Sequence, residues 1–220
     1  MVETLITEPP YNCERCPRLR NFILENRETY PDFFNGPVPS FGSQDAELLI
    51  IGLAPGLKGA NATGRPFTGD YAGDLLYKAL AEFDFSNGKY DGHAKDGLHL
   101  NRAMITNAVR CVPPQNKPVG AEINTCRDYL VAQIKALPNL KALLCLGKIS
   151  HDSTIRSLGL RLKDFPFGHN VSYDVGEGEV GGNFTLFSSY HCSRYNTNTR
   201  RLTEEMFFDV FANIRSHIDE

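Results

Sequence analysis

The sequence has no apolar run approaching the roughly 18 to 20 residues that cross a bilayer. Its opening, MVETLITEPP, lacks the basic end and apolar stretch of a secretory signal. A membrane-embedded or exported protein is not expected, and a cytoplasmic one is. Nor is there an excess of basic charge: 23 Lys and Arg stand against 26 Asp and Glu, a formal charge of -3. That balance excludes the overall electrostatic footprint of a strongly basic nucleic-acid binder, so any such site has to be a local patch. Repeats, low-complexity tracts and linker-like segments are missing too, and 220 residues suit one α/β domain over 1–220.

What the chain does have is six cysteines. In a reducing compartment these read better as metal or cluster ligands than as disulfides. Cys13 and Cys16 stand three positions apart, ahead of Pro17 and a helical pattern through Leu19, Phe22 and Ile23. Two thiolates so spaced can face one metal centre. A thioredoxin-type redox pair shares the spacing, but there a strand comes first, and none is predicted before Cys13. Cys111 at a predicted strand end and Cys126 in a predicted helix bring the set to four thiolates from three elements. Such a set can hold an iron–sulfur cubane or structural zinc, and spacing alone does not choose between them. Four unrelated buried thiols are the plain alternative. Cys145, inside the apolar run KALLCL, reads as a small hydrophobe in a strand.

Apolar runs predict strands over 48–53, 103–109, 141–146 and 183–189, and amphipathic patterns predict helices over 74–83, 122–137, 147–160 and 202–218. Residues 30–44 read as an irregular connection, 85–99 as a polar insertion, and 161–180 as loop, acidic near 176–179. Strands alternating with helices argue for a parallel sheet covered on both faces, with ligands bound beyond the carboxyl ends of the strands. The first strand runs into GLAPGLKGANATGRPFTGD, whose Gly56, Gly59, Gly64 and Gly69 let the backbone turn repeatedly and approach a ligand. A long surface loop is the plain alternative, although such loops in compact domains are usually functional. Asn107 and His191 lie at the ends of two other predicted strands.

Three strand-end segments, GLAPGLKGANATGRPFTGD at 52–70, TNAVRCVPPQNKP at 106–118 and HCSRYNTNTRRLT at 191–203, with the cysteines interleaved, resemble the uracil-DNA glycosylase superfamily. The resemblance is greatest to its type-b branch, family 5, and extends over nearly the whole chain. It implies a monomeric, three-layer αβα sandwich with a central four-stranded parallel sheet. It also implies a [4Fe-4S] cluster on Cys13, Cys16, Cys111 and Cys126 that braces a DNA-facing loop, and excision of uracil and other deaminated bases from DNA. Two positions depart from the pattern: related loops generally have proline at Cys192, and glycine is expected at Arg200.

Base excision requires the target base to leave the duplex and the site to stabilise an oxocarbenium-like transition state. The resemblance assigns stacking on the flipped base to Phe67, recognition of its edge to Asn107, and the adjoining walls to Gly52 and Ala54. His191 would hydrogen-bond the base oxygen where leaving-group charge develops. Related branches carry a carboxylate or asparagine at the place of Ala54, so Asp70 and Asn61 are the candidates to activate or orient water. A pocket without that group should accept hypoxanthine and modified uracils beside uracil. Arg65, Asn116, Lys117, Ser193, Arg194, Arg200 and Arg201 would hold the DNA backbone. Each residue has a plainer reading: Phe67 in the core, Asn107 and His191 bracing loops, Asp70 capping the next helix, and the arginines forming a solvated face. Two other classes stay open at this point, a uracil-DNA-binding module without turnover or with covalent capture through a histidine, and a redox iron–sulfur protein.

Overall fold

The structure is a computed structural model that describes residues 6–176 and 182–220. Of the acidic stretch near 176–179, residues 177–179 lie outside the described residues. In chain order the elements are α1 (Pro17–Thr29), β1 (Phe41–Gly42), β2 (Leu48–Gly52), α2 (Ala60–Thr63), α3 (Tyr71–Glu82), β3 (Ser86–Asn87), β4 (His99–Leu100) and β5 (Ala103–Asn107). There follow α4 (Gly120–Lys135), β6 (Ala142–Leu146), α5 (Lys148–Ser157), β7 (Val171–Asp174), β8 (Thr185–Ser189), α6 (Arg194–Asn198) and α7 (Glu204–Asp219).

The apolar runs become β2, β5, β6 and β8, each buried along its whole length as expected of strands covered on both faces. They form the parallel centre of a six-stranded sheet of order β1-β5-β2-β6-β8-β7. The expected four parallel strands are there, but each edge carries one antiparallel strand more. Neither has an apolar run to announce it: β1 is two residues long in a proline-rich connection, and β7 (VSYD) is a half-exposed, polar edge.

Alternate residues of the central strands feed two cores, because successive side chains of a strand point to opposite faces. Leu48, Ile50, Ile105 and Leu144 pack with Leu76 and Leu80 of α3 and with Phe207 and Phe211 of α7. Leu49, Ile51, Leu143 and Cys145 pack with Leu130 and Ile134 of α4 and with Ile155 of α5. The result is the αβα sandwich, with Cys145 a buried apolar filler as its context suggests. The chain leaves β2 and β8 toward the first helical layer and β5 and β6 toward the second, and because these strands are parallel all four connections open at their carboxyl ends. Helix starts are fixed by caps: Thr203 Oγ1 accepts from Met206 N at 3.1 Å to begin α7, whose first turn holds Glu204 and Glu205.

His151 is fully buried in α5, with Nδ1 2.7 Å from Ser188 Oγ and Nε2 2.8 Å from the Phe165 carbonyl. Burial pushes its imidazole below the ordinary histidine value of 6.5, partly offset by that carbonyl. The unfolded chain therefore takes up the proton first, so this stabilisation is complete above pH 6.5 and is lost as pH falls below it. Thermal denaturation is expected at progressively lower temperature below about pH 6.5. His151→Gln should melt earlier at pH 7.5 and show a shallower pH dependence, by at most about 1.4 kcal/mol per pH unit. Parallel pH profiles for the two proteins would show that His151 is not a source of the acid sensitivity.

Candidate active site

β2 and β5 end side by side, with Gly52 in register with Asn107. A Cβ on Gly52 would lie 2.3 Å from Asn107 Oδ1 and 2.7 Å from the Phe67 ring, so only glycine lets both side chains close over the strand end. The pairing continues past the strands, with Ala108 N donating to Gly52 O and Val109 N to Leu53 O, each at 2.9 Å. This zips the first residues of the two loops together. Phe67 itself sits at φ +51°, a left-handed conformation unusual for a bulky side chain. Gly73 makes room for it, since a Cβ there would lie 2.0 Å from the Phe67 carbonyl.

The glycine loop closes on Asp70, the N-cap of α3, whose Oδ1 accepts from Gly73 N at 3.1 Å. Asp70 Oδ2 turns toward Gly59, where a Cβ would come within 2.5 Å of it. The capping role and a place at the site thus coexist in one carboxylate. From the end of β8 comes His191, whose ring lies 5.8 Å from that of Phe67 at 27°. Burial holds its imidazole below the ordinary value, against the opposing pull of Asp70. Asn196 Nδ2 donates to the His191 carbonyl at 2.8 Å, and Ser193 begins α6 by accepting from Asn196 N at 3.4 Å. Cys192 is fully buried, its thiol donating to Ala72 O at 3.4 Å, which pins the loop after β8 to α3.

Phe67, Asp70, Asn107 and His191 border one open cavity of about 400 Å³, with Ser193 and Arg194 also in its lining. Ala54, Gly56 and Ala60 make part of its wall small and apolar. Asn116, which also borders the cavity, and Lys117 are exposed on the loop after β5, as are Arg200 and Arg201 after α6. Arg201 stacks on Tyr190 at 4.6 Å. Arg200 stands at φ +56°, the left-handed backbone that glycine adopts without strain, which is why glycine is expected there. Tyr71 was not singled out by the sequence. It is exposed, lines the cavity and lies 5.2 Å beneath the Arg194 guanidinium, and nothing but its place beside Asp70 marks it.

Two expected site residues are corrected. Arg65 cannot hold a phosphate: it is 4 % exposed and its two terminal nitrogens bond both Asp96 carboxylate oxygens at 2.7 Å. Asn61 does not orient water in the cavity, because it is fully buried away from the lining and donates Nδ2 to Asn35 Oδ1 at 2.9 Å. Asn35 returns the contact through its backbone N–H to Asn61 O at 3.1 Å. Both side chains brace the loop from behind.

Cys13, Cys16, Cys111 and Cys126 border a second, small cavity between α1, α4 and the segment after β5. Burial first, and the neighbouring thiols next, push Cys16 up to about 11 and Cys111 higher still. Arg110 N donates to Cys126 Sγ at 3.4 Å, and its buried guanidinium bonds Glu8 and Ser40, each at 2.8 Å. Arg18 grips Glu122 through two bonds of 2.7 and 2.8 Å and Arg15 pairs with Asp128, tying α1 and the turn before it to α4. Cys145 and Cys192 lie outside this group.

Residues 39–215 match the family model of the uracil DNA glycosylase superfamily. The chain is 39 % identical over 203 residues to a type-5 uracil-DNA glycosylase of Thermus thermophilus, covering 90 % of both chains. To the type-5 enzyme of Mycobacterium tuberculosis it is 40 % identical over 207 residues, covering 90 % of this chain and 75 % of that one. To that of Pyrobaculum aerophilum it is 34 % identical over 204 residues, covering 90 % and 86 %. With the strand-end cavity and its lining, these matches identify the chain as a member of the uracil DNA glycosylase superfamily.

Proposed function

We propose that this protein hydrolyses the N-glycosidic bond of uracil in DNA, releasing the free base and leaving an abasic site for base excision repair. The observation that carries the reading is the meeting of Phe67, Asn107, His191 and Asp70 in one cavity, with Ser193 and Arg194 beside them. In the reaction the bond from the sugar carbon to the base nitrogen breaks and its electron pair leaves with the base. Water then adds to the oxocarbenium-like sugar, and the proton it gives up neutralises the departed base anion, leaving free base and a hydroxyl on the sugar carbon.

Each side chain has work suited to its place. Phe67 stacks on the extruded base, and Asn107 offers an amide donor and acceptor to its edge. His191 is neutral near pH 7 and donates a hydrogen bond to the base oxygen as negative charge gathers there. With Asn61 withdrawn, Asp70 is the group that activates water or offsets the sugar cation. Ser193, Arg194, Asn116, Lys117, Arg200 and Arg201 contact the DNA backbone. Gly52 does not itself line the cavity and acts by leaving room for Asn107 and Phe67, while the roomy lining with Ala54, Gly56 and Ala60 supports turnover of hypoxanthine and modified uracils as well. The protein works on DNA as a cytoplasmic monomer.

The four clustered cysteines fit a [4Fe-4S] cluster. Cys13, Cys16, Cys111 and Cys126 border one cavity, and four thiols there supply a ligand for each corner of such a group. When bound, such a cluster supplies iron–sulfur cross-links that hold α1, α4 and the loop after β5 together. Excision moves no electrons, so that role is one of bracing.

End-labelled duplexes containing one uracil or one hypoxanthine are expected to yield alkali-labile abasic sites. His191→Ala should lose about 10²- to 10³-fold in single-turnover rate, and Asp70→Asn about 100-fold. Full activity in Asp70→Asn beside a crippled His191→Ala would remove the water-activating role, and retarded DNA without product would mark a binding module. Because the His191 imidazole is held below 6.5, it stays neutral between about pH 6.5 and about 8, and the rate should be level across that range. For the cysteines, protein purified without oxygen should carry about four iron atoms per chain. Cys126→Ala should lose iron and melt earlier, whereas Cys145→Ala should keep its iron. Iron retained in Cys126→Ala would refute the ligand set.

A further inference from the structure

Phe67 is held in its left-handed conformation by groups that never reach the cavity. On its N-terminal side, the Pro66 carbonyl accepts from Tyr77 OH at 2.8 Å and from Thr68 Oγ1 at 3.1 Å. On its C-terminal side, Tyr90 OH accepts from Gly69 N at 3.3 Å and lies 3.4 Å from the Phe67 carbonyl, to which it donates. Arg65 Nε donates to Thr68 Oγ1 at 2.8 Å, and its terminal nitrogens take Asp96 by both oxygens at 2.7 Å. Asp96 in turn accepts from Asp91 N and Leu98 N, each at 3.1 Å, so its carboxylate is fixed by its own loop. Tyr77 and Tyr90 stack at 4.4 Å and 19°, and the Arg65 guanidinium lies over both rings, at 5.4 and 5.8 Å.

We infer that the polar insertion over 85–99 is a positioning device for the stacking ring, with the buried Arg65–Asp96 pair and the Tyr90 hydroxyl holding Phe67 from behind. This rests on the glycosylase reading of the cavity. A strained residue persists only where its surroundings over-determine it, and here the backbone on both sides of Phe67 is bonded to side chains from α3 and from the insertion. The Asp96 side chain is completely shielded and that of Arg65 is 5 % exposed. Neutralising either partner leaves the other buried and uncompensated, and the loop is then free to relax toward ordinary φ. Arg65, Asp96 and Tyr90 are positioning residues, since none borders the cavity.

The test is a double-mutant cycle on the full chain. Asp96→Asn is expected to slow single-turnover release of uracil by about 10- to 100-fold, as a misplaced stacking ring would. In a Phe67→Ala background the same substitution should add little, because the ring it positions is gone. Affinity for a duplex carrying a tetrahydrofuran abasic analogue, which has no base to stack on, should change by less than about twofold. Tyr90→Phe removes one hydroxyl, keeps the ring stack, and should show the same pattern at smaller size even if Asp96→Asn folds poorly. Equal losses with and without Phe67, weakened binding of the abasic duplex in step with activity, or undiminished activity in both variants would each overturn the inference. Failure of the unaltered protein to release uracil would instead overturn the glycosylase reading itself.

Discussion

The site depends on one missing side chain. Because Gly52 is in register with Asn107, the last residues of two parallel strands stand next to each other, and any Cβ on Gly52 would occupy the space of an amide oxygen and an aromatic edge. Close approach of this kind is what glycine permits and every other residue forbids. The sheet supplies the register, the register supplies the contact, and the contact brings a stacking surface and an amide to the same corner. His191 reaches that corner from β8, beyond β6, so the sheet delivers three chain segments to one place without a long excursion by any of them.

Around this corner the buried charges are arranged behind the loops rather than in front of them. Arg65 is paired with Asp96 and Arg110 with Glu8, and none of the four borders the cavity. The cavity lining instead carries neutral donors, one carboxylate and the Arg194 guanidinium stacked on Tyr71.

The central strands were legible because an apolar run of five or six residues in a chain of this kind has nowhere to go but a covered sheet. Edge strands were not, since β1 and β7 bury too little to leave an apolar signature. Phe67, Asp70, Asn107, His191, Ser193 and Arg194 are at strand ends or in the loops that follow them, where position alone suggests a role, and all border the cavity. Arg65 and Asn61 have the same residue types and the same loop, yet they face inward. Their partners, Asp96 and Asn35, lie 31 and 26 residues away, a distance at which sequence pattern says nothing about orientation. Tyr71 was missed for the opposite reason: an exposed aromatic in the first turn of a helix is commonplace until the fold puts an arginine over it.

The hydrogen bonds that extend the β2–β5 pairing to Ala108 and Val109 have a mechanical meaning. Asn107 and Cys111 lie on one short stretch of chain, anchored at one end by the sheet and at the other by the buried Arg110 side chain and the packed thiols. A segment fixed at one end swings like a cantilever, and its tip wanders with every thermal kick. Clamped at both ends, it behaves as a short stiff beam, and the amide at its near end keeps its aim while the sheet around it vibrates.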